Sequence, residues 1–216
     1  MLRLYTYFRS SAAYRVRIAL NLKQLDYAAI PVHLLRAGGE QHDAVYAGLN
    51  PQKLVPTLDT GAGLLTQSLA ILEYLEEIAP VPPLLPADAL GRAQVRSLAL
   101  VVACEIHPLN NLRVLNYLRD ELAIDKDRRD AWYRHWIELG LSAFEQLLTR
   151  RSHGGPFCYG DAPTLADCCL APQVFNARRF GCPLDSFPNI QRIDAHCASL
   201  EAFQRAAPAA QADAET

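Results

Sequence analysis

Hydrophobic and polar positions alternate over Leu2 to Thr6, the period of two that marks a half-buried strand. The period then lengthens. Ala13, Val16 and Leu20 fall on one helical face with Tyr14, Ile18 and Leu22 beside it, predicting a helix that opens at the pair Ser10-Ser11. Residues 27–32 (YAAIPV) read as a second strand, which Pro31 confines to an edge or a strand end. A short helix over residues 41–50 is stopped by Asn50-Pro51. Residues 55–59 and 64–67 flank Gly61-Ala62-Gly63 as a hairpin. An amphipathic helix with Ser68 as its N-cap closes the section. The predicted order is β-α-β-α-β-β-α over residues 1–79.

Residues 79–88 (APVPPLLPAD) carry four prolines in ten positions, a density that cannot continue a helix. Residues 80–86 are therefore read as a semi-rigid linker. Beyond them the period is helical throughout, so 87–216 is expected to be one all-helical domain. Two long helices are predicted, Ala87 to Leu118 and Asp127 to Arg150. A third opens at Thr164, where Thr-Leu-Ala-Asp has the form of a capping box, and shorter ones run to about Ala206. The Ala-rich last ten residues are expected to fray.

Composition narrows the function classes. With 216 residues, half of them hydrophobic, the chain can bury a real core. A net charge of −2 gives no electrostatic footprint for nucleic acid. The six cysteines include no C-x-x-C pair and fall mostly in helical segments, as buried reduced thiols of a cytoplasmic protein would. The N-terminus enters a strand directly, without the apolar core of a secretory signal. Its longest apolar run, Leu98 to Cys104, is too short to span a bilayer. Cys104 and His107 are two ligands on one turn without a third, which reads as packing, and no metal is expected.

The candidate chemistry sits where the strand period gives way to the helix. Helix starts carry unpaired amides and a partial positive charge. Ser10 or Ser11 adds a hydroxyl donor, and Arg9, Arg15 and Arg17 surround the pair. Such a point suits an anion. On a helix at least one of Arg15 and Arg17 should be structural or solvent-facing, and one of the two serines serves as the helix cap.

An α/β half joined through a proline-rich stretch to an all-α half resembles the glutathione transferase architecture, a thioredoxin-like domain followed by a helical bundle. SSAAYRVRIALNLK resembles the signature of the zeta class. NPQKLVPTLD and QSLAILEYLEE resemble that family's glutathione-binding stretches, and HPLNNLRVLNYL with TLADCCLAPQVFNARRF resembles its helical domain. The resemblance covers nearly the whole chain. One position departs: the family usually has cysteine after the paired serines, where this chain has Ala12. Any sulfur chemistry is then that of glutathione itself.

The resemblance implies a glutathione-dependent cis–trans isomerase that converts a maleyl keto diacid to its fumaryl isomer. The family's maleylacetoacetate activity, in aromatic amino-acid breakdown, is the leading expectation. Maleylpyruvate isomerisation in gentisate breakdown is the alternative, with broader transferase or haloacid dehalogenase activity as a further one. Ser10 is favoured as donor to the glutathione thiolate, with Ser11 close behind. Val55 and a cis Pro56 are implied to pair with the tripeptide backbone, and Gln67 and Ser68 to bind its γ-glutamyl carboxylate. His42 is assigned to the glycyl end, with a solvated surface histidine as the equal alternative. Arg9, Arg113 and Arg179 are assigned to the carboxylates of the diacid, with Arg9 or a helix-start amide at the developing enolate. A homodimer is expected from the family alone.

Overall fold

The computed structural model describes residues 1–150 and 155–215; residues 151–154 and Thr216, which fall in the expected helical half, lie outside the described residues. The chain forms two compact units, Met1–Leu84 with Ser199–Thr216, and Leu85–Ala198.

The first unit is built on four strands: β1 (Leu2–Thr6), β2 (Tyr27–Pro31), β3 (Thr57–Asp59) and β4 (Leu64–Thr66), in the order β2-β1-β3-β4. β2 runs parallel to β1, which requires the crossover helix α1 (Ser11–Leu22), while β3 and β4 are antiparallel to their neighbours. Pro31 ends an edge strand, as its missing N–H demands. α2 (Ala44–Leu49) precedes β3, and α3 (Ser68–Ile78) follows β4. Leu4 and Leu58 of the sheet, Val16 and Leu20 of α1, and Ile71, Leu72 and Leu75 of α3 are fully buried. The order is the expected β-α-β-α-β-β-α.

Three expectations about this unit change. Residues 80–84 of the expected linker belong to the first unit, where the buried Lys23 ammonium donates to Glu76 (2.7 Å) and to the carbonyls of Ala79 and Pro82, while Leu84 donates to Glu76 (2.9 Å). The tail beyond Ala198 belongs here and not to the helical domain. Arg17 and Asn21 of α1 donate to the Ala206 and Ala202 carbonyls at 3.0 and 2.9 Å. Nor do the last ten residues fray over their described part. Pro208 is buried, Asp213 accepts from the Phe8 amide at 3.0 Å, and Glu215 lies 2.8 Å from His33.

The second unit is helical. Where one helix is predicted over 87–118, the structure has α4 (Ala89–Leu100), a wide turn (Val101–Ile106) and α5 (Leu112–Asp120). The widening is a π-type turn closed by His107 donating to the Val102 carbonyl. Pro108 follows, and Asn111 caps α5 afresh by accepting from Arg113. α6 (Lys126–Thr149) passes close to the widened turn. A Cβ on Gly140 would meet Ile106 at 2.2 Å, so glycine is required there. α7 (Leu165–Arg179) opens on the expected capping box, and α8 (Pro188–Ala198) completes the unit. The carboxylate of Asp167 accepts from the Thr164 amide and hydroxyl and from the Cys158 amide, each at 2.8 Å. α9 (Glu201–Ala206) belongs to the first unit. Among the described residues no helix is long and apolar enough to cross a membrane.

Candidate active site

Ser10 is the N-cap of α1. Its Oγ accepts from the Ala13 amide at 3.2 Å, and its own amide donates to the Tyr7 carbonyl at 2.9 Å. Because Oγ acts as acceptor toward the helix, its hydroxyl proton remains directed by whatever lies at the helix mouth. Ser11 is the first helical residue and is buried. No acidic side chain occupies the first turn, so the positive end of α1 is not neutralised locally. A partly buried hydroxyl donor against a helix N-terminus is a site for an anion.

The strand-to-helix loop that carries these groups is fixed from below by Arg17. This fully buried guanidinium donates to Thr6 Oγ1 (2.9 Å) and to the carbonyls of Tyr7 (3.3 Å), Phe8 (3.0 Å) and Ala206 (3.0 Å). Burial pushes its pKa down to about 10, so it keeps its charge at neutral pH. The structural role foreseen for one of the two helix arginines therefore falls to Arg17.

Val55 and Pro56 are joined by a cis peptide bond, as the family resemblance implies. Tyr46 and Asn50 hold the preceding segment by donating to the Leu54 carbonyl at 2.6 and 2.8 Å. Sheet pairing begins only at Thr57, which leaves the Val55 backbone outside the ladder. Gln67 takes a left-handed φ of 67° and is itself the cap residue of α3. Ser68 therefore begins the helix and does not cap it. This corrects the sequence reading: the positive φ at Gln67 turns the chain one residue earlier. Such backbone strain at a helix mouth is characteristic of functional positions. Ser68 Oγ accepts from buried Arg15 at 3.1 Å, and Gln67 donates to Gln52 at 2.9 Å. With no acid in its first turn, α3 presents a second electropositive helix start.

These groups fit a tripeptide with a thiol and two carboxylates: two helix starts, two serines, and an extended segment with an unused backbone edge. Arg15, which the sequence reading left without a ligand role, and Gln52, which it did not name, contact Ser68 and Gln67. An arginine four residues after Ser11, among the buried positions of α1, was the available signal for Arg15. His42 ends a short turn after β2, and its side chain is exposed. Nothing in its contacts distinguishes it from a solvated histidine.

Of the assigned arginines, Arg9 belongs to the first unit and Arg113 and Arg179 to the second. Arg9 is exposed, with its guanidinium 4.8 Å from the Phe8 ring centre. In the second unit a cavity of about 460 Å³ lies between α5, the start of α6 and the end of α7. Arg179 lines it, 4.9 Å from the Phe180 ring centre, whereas Arg113, exposed on α5, does not. Phe180 is held in turn by stacking on Tyr133 at 3.6 Å. Among the described residues no group of three His, Cys, Asp or Glu side chains is placed to hold a metal ion.

Comparison with known proteins shows the family. Residues 4–83 match the family profile of the glutathione S-transferase N-terminal domain, and residues 130–203 that of the C-terminal domain. The chain is 52% identical to a maleylpyruvate isomerase of Ralstonia sp, over 98% of this chain and 99% of that one. It superposes with a TM-score of 0.96 on the holo structure of a maleyl pyruvate isomerase described as a bacterial zeta-class transferase, at 51% identity, covering 99% and 100% of the two chains. A maleylacetoacetate isomerase from Anaeromyxobacter dehalogenans, solved with glutathione in its active site, gives 0.88 at 46% identity, covering 100% and 98%. The helix-start serines, the cis Val55–Pro56 segment and the capped helical unit thus occur in a chain that belongs to the glutathione S-transferase family, in its zeta class.

Proposed function

We propose that the protein is a glutathione-dependent cis–trans isomerase that converts a maleyl keto diacid, with maleylacetoacetate as the leading substrate, into its fumaryl isomer. The observation that carries this reading is the pairing of a serine N-cap with an unneutralised helix start, in a site that has no cysteine of its own at position 12.

Even the partial double bond of a peptide resists rotation by ~18–20 kcal/mol, and a carbon–carbon double bond resists more. Bound glutathione supplies the sulfur nucleophile whose addition makes that bond single. The chain has to keep this sulfur ionised and the diacid in register. A hydrogen bond to a charged group is worth ~1.5–3 kcal/mol and a helix terminus adds ~0.3–1 kcal/mol. Together they bring a thiol pKa near ~8.5 down by roughly one to three units, enough to make the thiolate abundant at neutral pH. Ser10 donates to that thiolate, and Ser11 is its nearest substitute. The Val55 backbone pairs with the tripeptide, while Gln67 and Ser68, backed by Arg15, receive the γ-glutamyl carboxylate. His42 is assigned to the glycyl end. Arg9, Arg113 and Arg179 hold the carboxylates of the diacid, for which the forked guanidinium is suited, and Arg9 or an amide of α1 stabilises the charge that develops on the ketone oxygen.

Maleylpyruvate is the second reading, supported by the 52% identity to an enzyme named for that substrate. A side-by-side assay of both diacids, with and without glutathione, tests the proposal. Fumaryl product is expected only when glutathione is present. Turnover without it, or no isomerisation of either diacid, refutes the reading. The protein is expected to be cytoplasmic, which cell fractionation checks, and to act as a homodimer, which its mass by light scattering checks.

A further inference from the structure

Three consecutive residues of the C-terminal tail, Asp213, Ala214 and Glu215, each meet a different segment of the first unit's glutathione site. Asp213 Oδ2 accepts from the Phe8 amide at 3.0 Å, two residues before Ser10. Ala214 packs against the buried apolar cluster to which Val55 belongs with Tyr7, Phe8, Val32 and Tyr46. Glu215 lies 2.8 Å from His33 Nε2 and 3.7 Å from Arg36, in the segment that leads on to His42. His33 Nδ1 accepts from the Leu35 and Arg36 amides at 3.2 and 2.8 Å, so the ring proton sits on Nε2 and is donated to Glu215.

The bond to Phe8 does something that Arg17 cannot. Arg17 takes the Phe8 carbonyl at 3.0 Å, but a guanidinium only donates, so it leaves the amide of this buried residue in need of an acceptor. Asp213 provides one. With the Ser10 amide donating to the Tyr7 carbonyl at 2.9 Å, the turn from Tyr7 to Ser10 is then held at every one of these peptide groups. The tail does not need Asp213 for its own fold. Ala202 and Ala206 are bound by Asn21 and Arg17, and the Gln211 side chain donates to the carbonyls of Arg205 and Ala207, each at 2.9 Å. The segment up to Gln211 is therefore fixed before Asp213 is reached.

We propose that Asp213 is a positioning residue for glutathione. Through the Phe8 amide it sets the turn that aims Ser10, and with Ala214 and Glu215 it straps the Ser10, Val55 and His42 segments to one another. This role rests on the isomerase reading given above. It acts on the tripeptide and leaves the diacid alone.

The test uses the full-length protein. Glutathione is titrated by calorimetry into the wild type, Asp213→Ala, Asp213→Asn and Glu201→Gln, and KM values for glutathione and for the maleyl diacid are measured on each. Asp213→Ala is expected to weaken glutathione binding about fivefold, which is about 1 kcal/mol. Its glutathione KM should rise by a similar factor, with the diacid KM unchanged. Asp213→Asn keeps a carbonyl oxygen for the Phe8 amide and is expected to bind within about twofold of the wild type. Glu201→Gln removes an exposed charge of the same tail, one that faces Arg205, and is expected to bind as the wild type does. Partial unfolding lowers kcat through the active fraction and leaves the glutathione KM where it was, so the KM separates positioning from stability. Equal glutathione affinity in the wild type and Asp213→Ala, an Asn variant as weak as the Ala variant, or a loss confined to kcat overturns the proposal. So does a wild type that binds no glutathione. If glutathione binding depends on Asp213 as expected yet no maleyl diacid is isomerised, the isomerase reading fails while the positioning role stands.

Discussion

Replacing Arg17 with methionine keeps much of the side chain's volume and removes its charge and donors. Three buried acceptors lose their partner: the Thr6 hydroxyl and the carbonyls of Phe8 and Ala206. The Tyr7 carbonyl keeps the Ser10 amide. At about 2 kcal/mol for each orphaned acceptor the loss is roughly 6 kcal/mol. Against this stands relief from burying a cation. Burial pushes the guanidinium pKa down to about 10, which corresponds to about 3 kcal/mol. The lost hydrogen bonds win by about 3 kcal/mol, and for a chain of this size that lowers Tm by roughly 6–12 °C. Because Arg17 also fixes the loop that bears Ser10, glutathione affinity should fall together with Tm. Calorimetric unfolding and glutathione titration on Arg17→Met and wild type measure both. A Tm within 2 °C of wild type, or a destabilised variant that binds glutathione unchanged below its transition, would refute the positioning argument.

Ser10→Ala should remove most isomerase activity and about 1 kcal/mol of helix stability through the lost cap; full activity moves the thiolate contact to Ser11. Cys104 is exposed and the other five thiols are buried, with burial pushing Cys182 up to about 11 and Cys197 higher still. A charged thiol reagent at pH 8 should therefore label one equivalent rapidly in the native protein and six after unfolding, and a second fast equivalent contradicts this. Asp167 satisfies three donors, so Asp167→Ala should cost about 3–5 kcal/mol in urea unfolding at neutral pH, and a loss below 1 kcal/mol contradicts the assigned role. Burial still raises its carboxyl above the ordinary 3.8, the desolvation outweighing those bonds. The folded state then holds this proton more tightly than the unfolded one. Its contribution to stability falls as pH rises from 3.8 through the raised value, a slope that Asp167→Ala should abolish.

The elements that the sequence placed correctly are those whose cause is local. The alternation in β1, the helical face of α1, the Gly61–Gly63 hairpin and the Thr164 capping box each depend on a few neighbouring side chains and emerged as expected. The failures have distant causes. The periodicity of residues 87–118 is continuous, but a π-type turn keeps nearly the same apolar face, and only the contact of Ile106 with Gly140 marks where the helix widens. Ser68 has the composition of a cap, yet the cap position went to Gln67 because the preceding hairpin delivers the chain in a left-handed turn. The alanine-rich tail has little propensity to hold itself, and it is ordered by Phe8 and His33, about two hundred residues away in sequence.

Sequence alone determined which chemistry was possible: paired serines at a helix start, no thiol beside them, and a two-part chain with a proline-rich join. Those facts depend on residue type and local spacing. The tertiary structure decided which arginine does what. Arg15 and Arg17 share a helix and are both buried, yet one faces Ser68 and the other clamps the Ser10 loop to the C-terminal tail. A charge acquires a role from the acceptors and the solvent around it, and both are set by segments far away in the chain.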